Sequence, residues 1–205
     1  MIKVVTIERE YGSGASEIAQ KLAERLGWKL WDQAFTDEIA RQMACPSRTV
    51  EEREERRDTF AYRLFKSFMR GSFEGSLNEP RLNMVDAEQI KRVTQKIVFD
   101  VAEKGNAVML GRGSGYHLYG RPHALHVFVY APFEEKVRRL QATGKSEKEA
   151  MELVDTVDEE RSEYIKKHFN VEWPARHYFH LMINTTMGEE KVVESILHSV
   201  SILES

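Results

Sequence analysis

Short apolar segments alternate with longer amphipathic segments along most of the chain. Compact apolar runs predict strands at 2–7, 28–31, 106–110, 126–130 and 181–184. Apolar residues spaced three and four apart predict helices at 16–26, 35–43, 86–104, 132–143 and 189–201, and a more polar helix is predicted at 147–168. Strands that alternate with helices in this order predict an α/β fold with a parallel sheet.

The first strand leads into a glycine-rich turn at the start of the first helix. Gly12 and Gly14 flank Ser13, and Ser16 opens the helical pattern. Glycines let the backbone approach an anion closely, and the partial positive charge at a helix N-terminus favours phosphate. On these residues alone a second interpretation stays open, in which the segment is only a βα turn whose serines cap the helix.

The turn matches the known phosphate-loop pattern G-x-x-x-x-G-K-[ST] only in part. Gly14 and Ser16 fit, but Arg9 stands in place of the first glycine and Ala15 in place of the lysine. A dinucleotide fingerprint fits less well, because Glu17 stands where its third glycine belongs. The local pattern therefore indicates a phosphate site without naming its ligand.

A second glycine-rich turn follows the apolar run at 106–110. It reads Gly111-Arg112-Gly113-Ser114-Gly115-Tyr116. In open α/β sheets, ligands bind beyond the carboxyl ends of the strands. We therefore expect Gly12 and Arg112 to face the same crevice.

Two segments between the strands are polar enough to be additions to a core. Residues 36 to about 85 include a charged run at 51–58 and a loop rich in Gly, Ser and Asn at 71–80, so they are expected to form an inserted lobe. Arg161, Lys166, Lys167 and His168 give the helix at 147–168 a basic end. Such a cluster can close over a polyanion as a lid, or it can simply be an exposed amphipathic face.

Composition and charge limit the classes of partner and the cellular location that can be expected. The 205 residues are 41% apolar and 31% charged with a net charge of -3, so one domain with inserted lobes is expected, without the basic field of a nonspecific nucleic-acid binder. The single cysteine, Cys45, excludes an internal disulfide and is expected to be inert. With neither a signal-peptide pattern nor a bilayer-length apolar run, a cytoplasmic protein with no membrane partner is expected.

Several of these segments together resemble the cytidylate-kinase-like family. They are Thr6–Gly14 with its Arg-Glu-Tyr-Gly-Ser-Gly core, Trp31-Asp32, Leu110–Gly113, Val157–Tyr164 and Ile183–Thr185, which span nearly the whole chain. The resemblance implies a three-layer α/β fold of the P-loop kinase type with a parallel sheet, a helical monophosphate-binding insert and a lid. It also implies ATP-dependent phosphorylation of a pyrimidine nucleoside monophosphate, CMP or dCMP first, with Mg²⁺ as cofactor.

The resemblance assigns roles to residues. Arg9, Arg112 and Arg161 are expected to be catalytic, with Arg9 replacing the charge of the absent lysine unless it only pairs with Glu8 or Glu10. Asp32, Arg112 and Gly113 are expected to bind the acceptor, and Ser16 the metal. Nucleotide and phosphate binding is expected from Tyr11, Gly12, Ser13, Gly14, Ala15, Ser16, Glu17 and Lys166.

The expected core comprises 1–35, 95–145 and 179–205, the acceptor-binding insert 36–94, and the lid 146–178. The chain departs from the family pattern where acidic residues are usual, since Leu110 and Gly113 flank Gly111-Arg112. Two other hypotheses therefore stay open: a nucleotide-binding sensor that transfers no phosphate, and a kinase for another small acceptor. The aromatic and basic residues of the insert could equally form a homodimer contact.

Overall fold

A computed structural model describes residues 1–43 and 87–204 of the chain. The predictions made for Cys45, for the charged run at 51–58 and for the loop at 71–80 lie outside the described residues. The fold below is built from the described ranges alone.

Five parallel strands form the central sheet. They are β1 (Val4–Arg9), β2 (Lys29–Trp31), β3 (Ala107–Leu110), β4 (Ala124–Tyr130) and β5 (Leu181–Asn184), in the order β2-β3-β1-β4-β5. Every residue of β1 and β3 is buried, as expected for central parallel strands covered on both faces. Ile7 pairs with both Leu110 and Val127, so β1, β3 and β4 run towards one common edge.

Seven α-helices lie among the described residues. They are α1 (Ala15–Leu26), α2 (Gln33–Met43), α3 (Ala87–Lys104), α4 (Ser114–His117), α5 (Phe133–Ala142), α6 (Glu147–Phe169) and α7 (Glu189–Ile202), with 3-10 turns at Arg176–Tyr178 and Thr185–Met187. The bounds agree with the sequence predictions to within a few residues, except that α4 was read only as a turn.

Two hydrophobic cores make the fold three layers deep. On one face of the sheet, α1 and α7 pack through Ile18 and Ile196 against Ile7 and its neighbours. On the other face, α2 and α3 pack through Phe35 and Ile97. The predicted α/β architecture with a parallel sheet is confirmed.

Helix α6 packs against α5 and the loop after β1, and not in either of the two main hydrophobic cores. Its first half packs through Val154 and Val157 on Tyr11 and α5, and its end joins an aromatic cluster around Tyr116 and Tyr164. The expected lid, 146–178, thus contains α6 and the first 3-10 turn, while the expected boundaries near 36 and 94 fall within α2 and α3. This division into core, insert and lid stays a prediction.

Among the helices described, none combines the length and the apolar character required to cross a membrane.

Candidate active site

The loop between β1 and α1 adopts a conformation that depends on glycine. Gly12 and Gly14 have φ values of 75° and 79°, in the left-handed region that side chains disfavour. A Cβ on Gly12 would lie 3.1 Å from both the Cβ and the carbonyl oxygen of Lys136 on α5. The loop is therefore fitted against α5 with no room for a side chain at this position.

The first turn of α1 presents backbone donors beyond this loop. The first bond of the helix is the one that the Ile18 amide donates to the Gly14 carbonyl, at 3.4 Å. Helix geometry therefore leaves the amides of Ala15, Ser16 and Glu17 without acceptors inside the helix. Together with the helix dipole, such amides favour phosphate oxygens.

A cavity of about 1030 Å³ opens over the loop. One side is formed by the loop and the start of α1, from Arg9 to Glu17. The other side is formed by Arg139 of α5, by Thr143 directly after that helix, and by the segment 185–191. This volume is at the upper end of small-ligand sites and is large enough for a nucleoside triphosphate.

Arg139 and Thr185 join three elements around this cavity. The Arg139 guanidinium donates to the Ser13 carbonyl, and to the Thr185 hydroxyl at 2.8 Å. The Thr185 hydroxyl in turn donates to the Ser13 carbonyl at 2.7 Å. These bonds tie the loop to α5 and to the end of β5, where the sheet edge and the cavity meet.

Three arginines converge beside the loop. Arg9, Arg112 and Arg161 are only 6%, 2% and 3% exposed. The Arg9 guanidinium lies against Gly111, where a Cβ would almost coincide with one of its nitrogens, and the Arg9 carbonyl accepts from Arg161 Nη1 at 3.2 Å. Burial, with a further contribution from the charge of Arg9, lowers the pKa of Arg161 to about 10.

The Gly-Arg turn holds Arg112 in a strained backbone. Gly111, Arg112 and Gly113 have φ values of 69°, 61° and 64°, so three successive residues are left-handed. A buried arginine in this region costs free energy and is typical of functional sites. Its Nη2 donates to the Thr36 hydroxyl at 2.8 Å, and burial lowers its pKa to about 10 although the charge of Asp32 opposes this.

One buried carboxyl group, that of Glu8, stands next to the arginines. Glu8 is 3% exposed, and one of its oxygens accepts from the Gly115 amide at 3.4 Å. Burial raises its pKa, while the charges of Arg9 and Arg161 oppose the rise. Arg161 also pairs with Asp158 at 3.2 Å, so the protein itself balances part of the positive charge of the three arginines.

Most of the residues predicted for the site lie together at this edge of the sheet. The predicted residues that line the cavity are Arg9, Tyr11, Gly12, Ser13, Gly14, Ala15, Ser16, Glu17 and Arg161. Arg112, Asp32 and Gly113 are not among its lining residues and lie on the β3 side, where Arg9 packs on Gly111. Ala15 contributes its methyl group to the hydrophobic core, so no ammonium stands at this position.

Lys166 is not brought to the cavity. Its side chain is exposed and its ammonium pairs with Glu172 at 2.8 Å. Lys166 follows Arg161 by five residues, which turns it about 140° around a helix. Because Arg161 points into the buried cluster, Lys166 of α6 faces away from it.

The loop residues fit a polyphosphate with its magnesium ion. The Ser16 hydroxyl, in the first turn of α1, lines the cavity and is an oxygen ligand of the kind that Mg²⁺ accepts. Across residues 1–43 and 87–204, no group of three His, Cys, Asp or Glu side chains is arranged for a metal ion. Mg²⁺ at Ser16 would therefore take its other ligands from phosphate oxygens and water, as it often does.

Sequence reasoning missed Arg139, Thr185, Lys136 and Glu8 as parts of this site. Two of them carried a usable signal, because Arg139 lies on the helix after β4 and Thr185 directly follows β5, and both strands end at the ligand edge. Lys136 and Glu8 carried no signal in the sequence that could have assigned them to the site. Their importance comes from contacts between segments far apart in the chain.

Comparisons with known proteins agree with this geometry. The sequence profile of the cytidylate kinase-like family matches residues 4–187, so the chain belongs to this family. No curated protein matches the sequence. Family membership supports a kinase-type phosphoryl transfer that uses a nucleotide.

Solved structures show the same fold at low sequence identity. An uncharacterized protein from Eubacterium ventriosum matches with a TM-score of 0.69 and 19% identity, covering 98% of this chain and 99% of that chain. Shikimate kinase from Bacteroides thetaiotaomicron matches with a TM-score of 0.54 and 14% identity, covering 98% and 99%. Shikimate kinase from Acinetobacter baumannii, in complex with shikimate, matches with 0.52 and 16%, covering 98% and 93%.

Proposed function

We propose that this member of the cytidylate kinase-like family transfers the γ-phosphoryl group of ATP to a pyrimidine nucleoside monophosphate, CMP or dCMP first. The observation that carries the proposal is the buried cluster of Arg9, Arg112 and Arg161 next to a phosphate loop with open amides. The pKa of Arg112 and that of Arg161 are each lowered by burial and by the charge of Arg9. Phosphate groups among these guanidiniums would relieve that repulsion.

The arrangement divides into a donor side and an acceptor side. On the donor side, the amides of Ala15, Ser16 and Glu17 cradle the terminal phosphates of ATP in the large cavity, and the nucleoside lies towards Arg139 and Thr143. On the acceptor side, Arg112 and Asp32 hold the monophosphate and its nucleoside. Arg9 and Arg161 lie between the two sides and stabilise the transferred phosphoryl group.

This division needs no nucleophilic side chain. Phosphoryl transfer depends on positioning and on neutralising charge, and both are supplied by the guanidiniums and the loop amides. Mg²⁺, held by Ser16 and phosphate oxygens, would supply further neutralisation of the phosphates. The guanidiniums of this chain take over part of the charge that a loop lysine would otherwise contribute.

A coupled assay with ATP tests the activity. The acceptor panel comprises CMP, dCMP, UMP, AMP and GMP, together with shikimate because two proteins of similar fold are shikimate kinases. We expect turnover with CMP or dCMP, and a loss in kcat/KM of about 100-fold in Arg112→Met, since a hydrogen bond to a charged group is worth up to about 3 kcal/mol. Absence of turnover with every acceptor, under magnesium or manganese, would remove the proposed reaction.

Arg25→Met is the matched control for this substitution. Arg25 lies on the exposed part of α1, where it pairs with Glu194 of α7 at 2.7 Å. Surface pairs of this kind contribute little to stability. We therefore expect Arg25→Met to keep the kcat/KM of the original chain.

A nucleotide sensor is the second candidate, because Ala15 leaves the loop without its usual ammonium and Leu110 and Gly113 replace acidic residues. Calorimetry separates the two functions. A kinase should bind an acceptor saturably in the presence of ADP, whereas a sensor should bind one nucleotide tightly and no acceptor. Turnover of shikimate instead of a nucleotide would favour a kinase for another small acceptor.

A further inference from the structure

A largely buried ion network lies beneath the phosphate loop, and two of its members, Lys136 and Asp158, do not line the cavity. The Lys136 ammonium, on α5, lies 3.0 Å from Glu10 Oε2 and 3.2 Å from Asp158 Oδ2. The lysine side chain is only 10% exposed, and that of Asp158 14%. Lys136 does not line the cavity. Its ammonium forms ion pairs with the two carboxylates instead.

Asp158 connects this network to the backbone of the loop. Its Oδ1 accepts a hydrogen bond from the Tyr11 amide at 2.8 Å, and another from Arg161 Nη1 at 3.2 Å. The same Arg161 nitrogen donates to the Arg9 carbonyl at 3.2 Å. Helix α6 therefore holds the backbone at two positions, Arg9 at the end of β1 and Tyr11 in the loop.

Helix α5 holds the next position by close packing. A Cβ on Gly12 would lie 3.1 Å from the carbonyl oxygen of Lys136 and 3.2 Å from its Cα. Each of the four residues from Arg9 to Gly12 is thus fixed by α5 or α6. The Arg9 carbonyl and the Tyr11 amide are bonded to α6. The Glu10 carboxylate pairs with α5, and Gly12 packs against it.

We propose that Lys136 and Asp158 are positioning residues for the phosphate loop, so that affinity for the donor phosphates depends on two side chains that do not line the cavity. The proposal rests on the proposed function. Because the chain has Ala15 in place of a loop lysine, binding relies on amides whose direction is set by the loop backbone. A loop held from below keeps those amides aimed at the phosphates before a nucleotide arrives.

The network is sensitive to the loss of either partner. Removing one member of a buried ion pair leaves an uncompensated charge, which is more disruptive than removing the whole pair. Lys136→Met leaves Glu10 and Asp158 facing each other without the ammonium. Asp158→Asn removes the charge but keeps an oxygen that can accept from the Tyr11 amide, whereas Asp158→Ala removes both.

Binding of inorganic triphosphate and of ADP, measured by calorimetry, is the first test. We expect Lys136→Met and Asp158→Ala to weaken both ligands about tenfold or more, and Asp158→Asn to weaken them less. The matched controls are Lys96→Met and Asp100→Asn, which alter an exposed i,i+4 pair on α3 with an N–O distance of 2.7 Å. These controls should bind as the original chain does.

Hydrogen exchange of the loop is the second test, and it needs no ligand. The Tyr11 amide should exchange about tenfold faster or more in Asp158→Ala, and retain most of its protection in Asp158→Asn. If Lys136→Met fails to fold, Glu10→Gln combined with Lys136→Met removes both charges of one pair and should fold with weakened triphosphate binding.

The outcomes separate this inference from the proposed function. Unchanged triphosphate affinity and unchanged Tyr11 exchange in all the variants would overturn the positioning role. If the original chain binds neither triphosphate nor ADP, the proposed function fails. The exchange of Tyr11 then still decides whether Asp158 fixes the loop.

Discussion

Replacing Gly12 with alanine probes the fit between the phosphate loop and α5. At φ 75°, Gly12 is left-handed, and an added Cβ would lie 3.1 Å from atoms of Lys136, one of which belongs to the main chain. Gly27 is the matched control. It is also left-handed, at φ 65°, but a Cβ there would have no atom of the described structure within 4 Å beyond its chain neighbours.

The two substitutions share one cost and differ in another. A left-handed conformation costs a residue with a Cβ about 1–2 kcal/mol, which applies to Gly12→Ala and Gly27→Ala alike. Crowding against the main chain of α5 adds about 1–3 kcal/mol to Gly12→Ala only. Since about 1 kcal/mol shifts Tm by about 2–4 °C for a chain of this size, Gly12→Ala should lower Tm by clearly more than Gly27→Ala.

Binding provides the second readout. A displaced loop misdirects its amides, so Gly12→Ala should weaken ADP binding about tenfold or more, while Gly27→Ala should leave it unchanged. Thermal unfolding by circular dichroism and calorimetry with ADP measure both effects. Equal losses of Tm in the two variants, with ADP affinity preserved in Gly12→Ala, would refute the tight fit of the loop.

Three further predictions follow from the site and its surroundings. Gly111→Ala would place a methyl group on the Arg9 guanidinium, so kcat/KM should fall about 100-fold or more in the coupled assay. Arg139→Met breaks the link between the loop, α5 and the turn after β5, and should raise the KM for ATP about tenfold with a smaller effect on the acceptor. Burial lowers the pKa of His117 from 6.5 to about 4. Between these pH values the unfolded chain therefore binds more protons than the folded chain. The stability that His117 contributes above pH 6.5 is consequently lost as the pH falls towards 4. The loss is at most about 3 kcal/mol in the free energy of unfolding. In urea unfolding, the free energy of unfolding of His117→Asn should therefore depend less on pH than that of the original chain. Glu8, whose pKa is raised, has the opposite effect, but it is present in both proteins and cancels in the comparison.

The fold was largely readable from the sequence because its strands and helices have strong local patterns. The run 181–184 was predicted with the bounds that β5 has, and α1 begins one residue before its predicted start. Helix α4 was missed, since its four residues, Ser114–His117, are too short to show a helical period. The glycine-rich turns were placed correctly at the ends of β1 and β3.

The site was readable only where its residues belong to a local pattern. Gly12, Gly14 and Ser16 lie in one turn, so the phosphate loop could be predicted. The pair between Lys136 and Glu10 joins residues 126 positions apart, and no local pattern records such a contact. The sequence places Lys166 in a basic cluster, but its position on α6 directs its ammonium to Glu172.

A bisubstrate ligand tests the central claim most directly, namely that donor and acceptor bind together at one edge of the sheet. The ligand joins adenosine and cytidine through their 5′ oxygens by five phosphates, and calorimetry measures its affinity in the presence of Mg²⁺. We predict one site per chain that binds about 100-fold tighter than ADP, and a loss of most of this advantage in Arg112→Met. Binding no tighter than that of ADP, or an affinity that Arg112→Met leaves unchanged, would contradict the account.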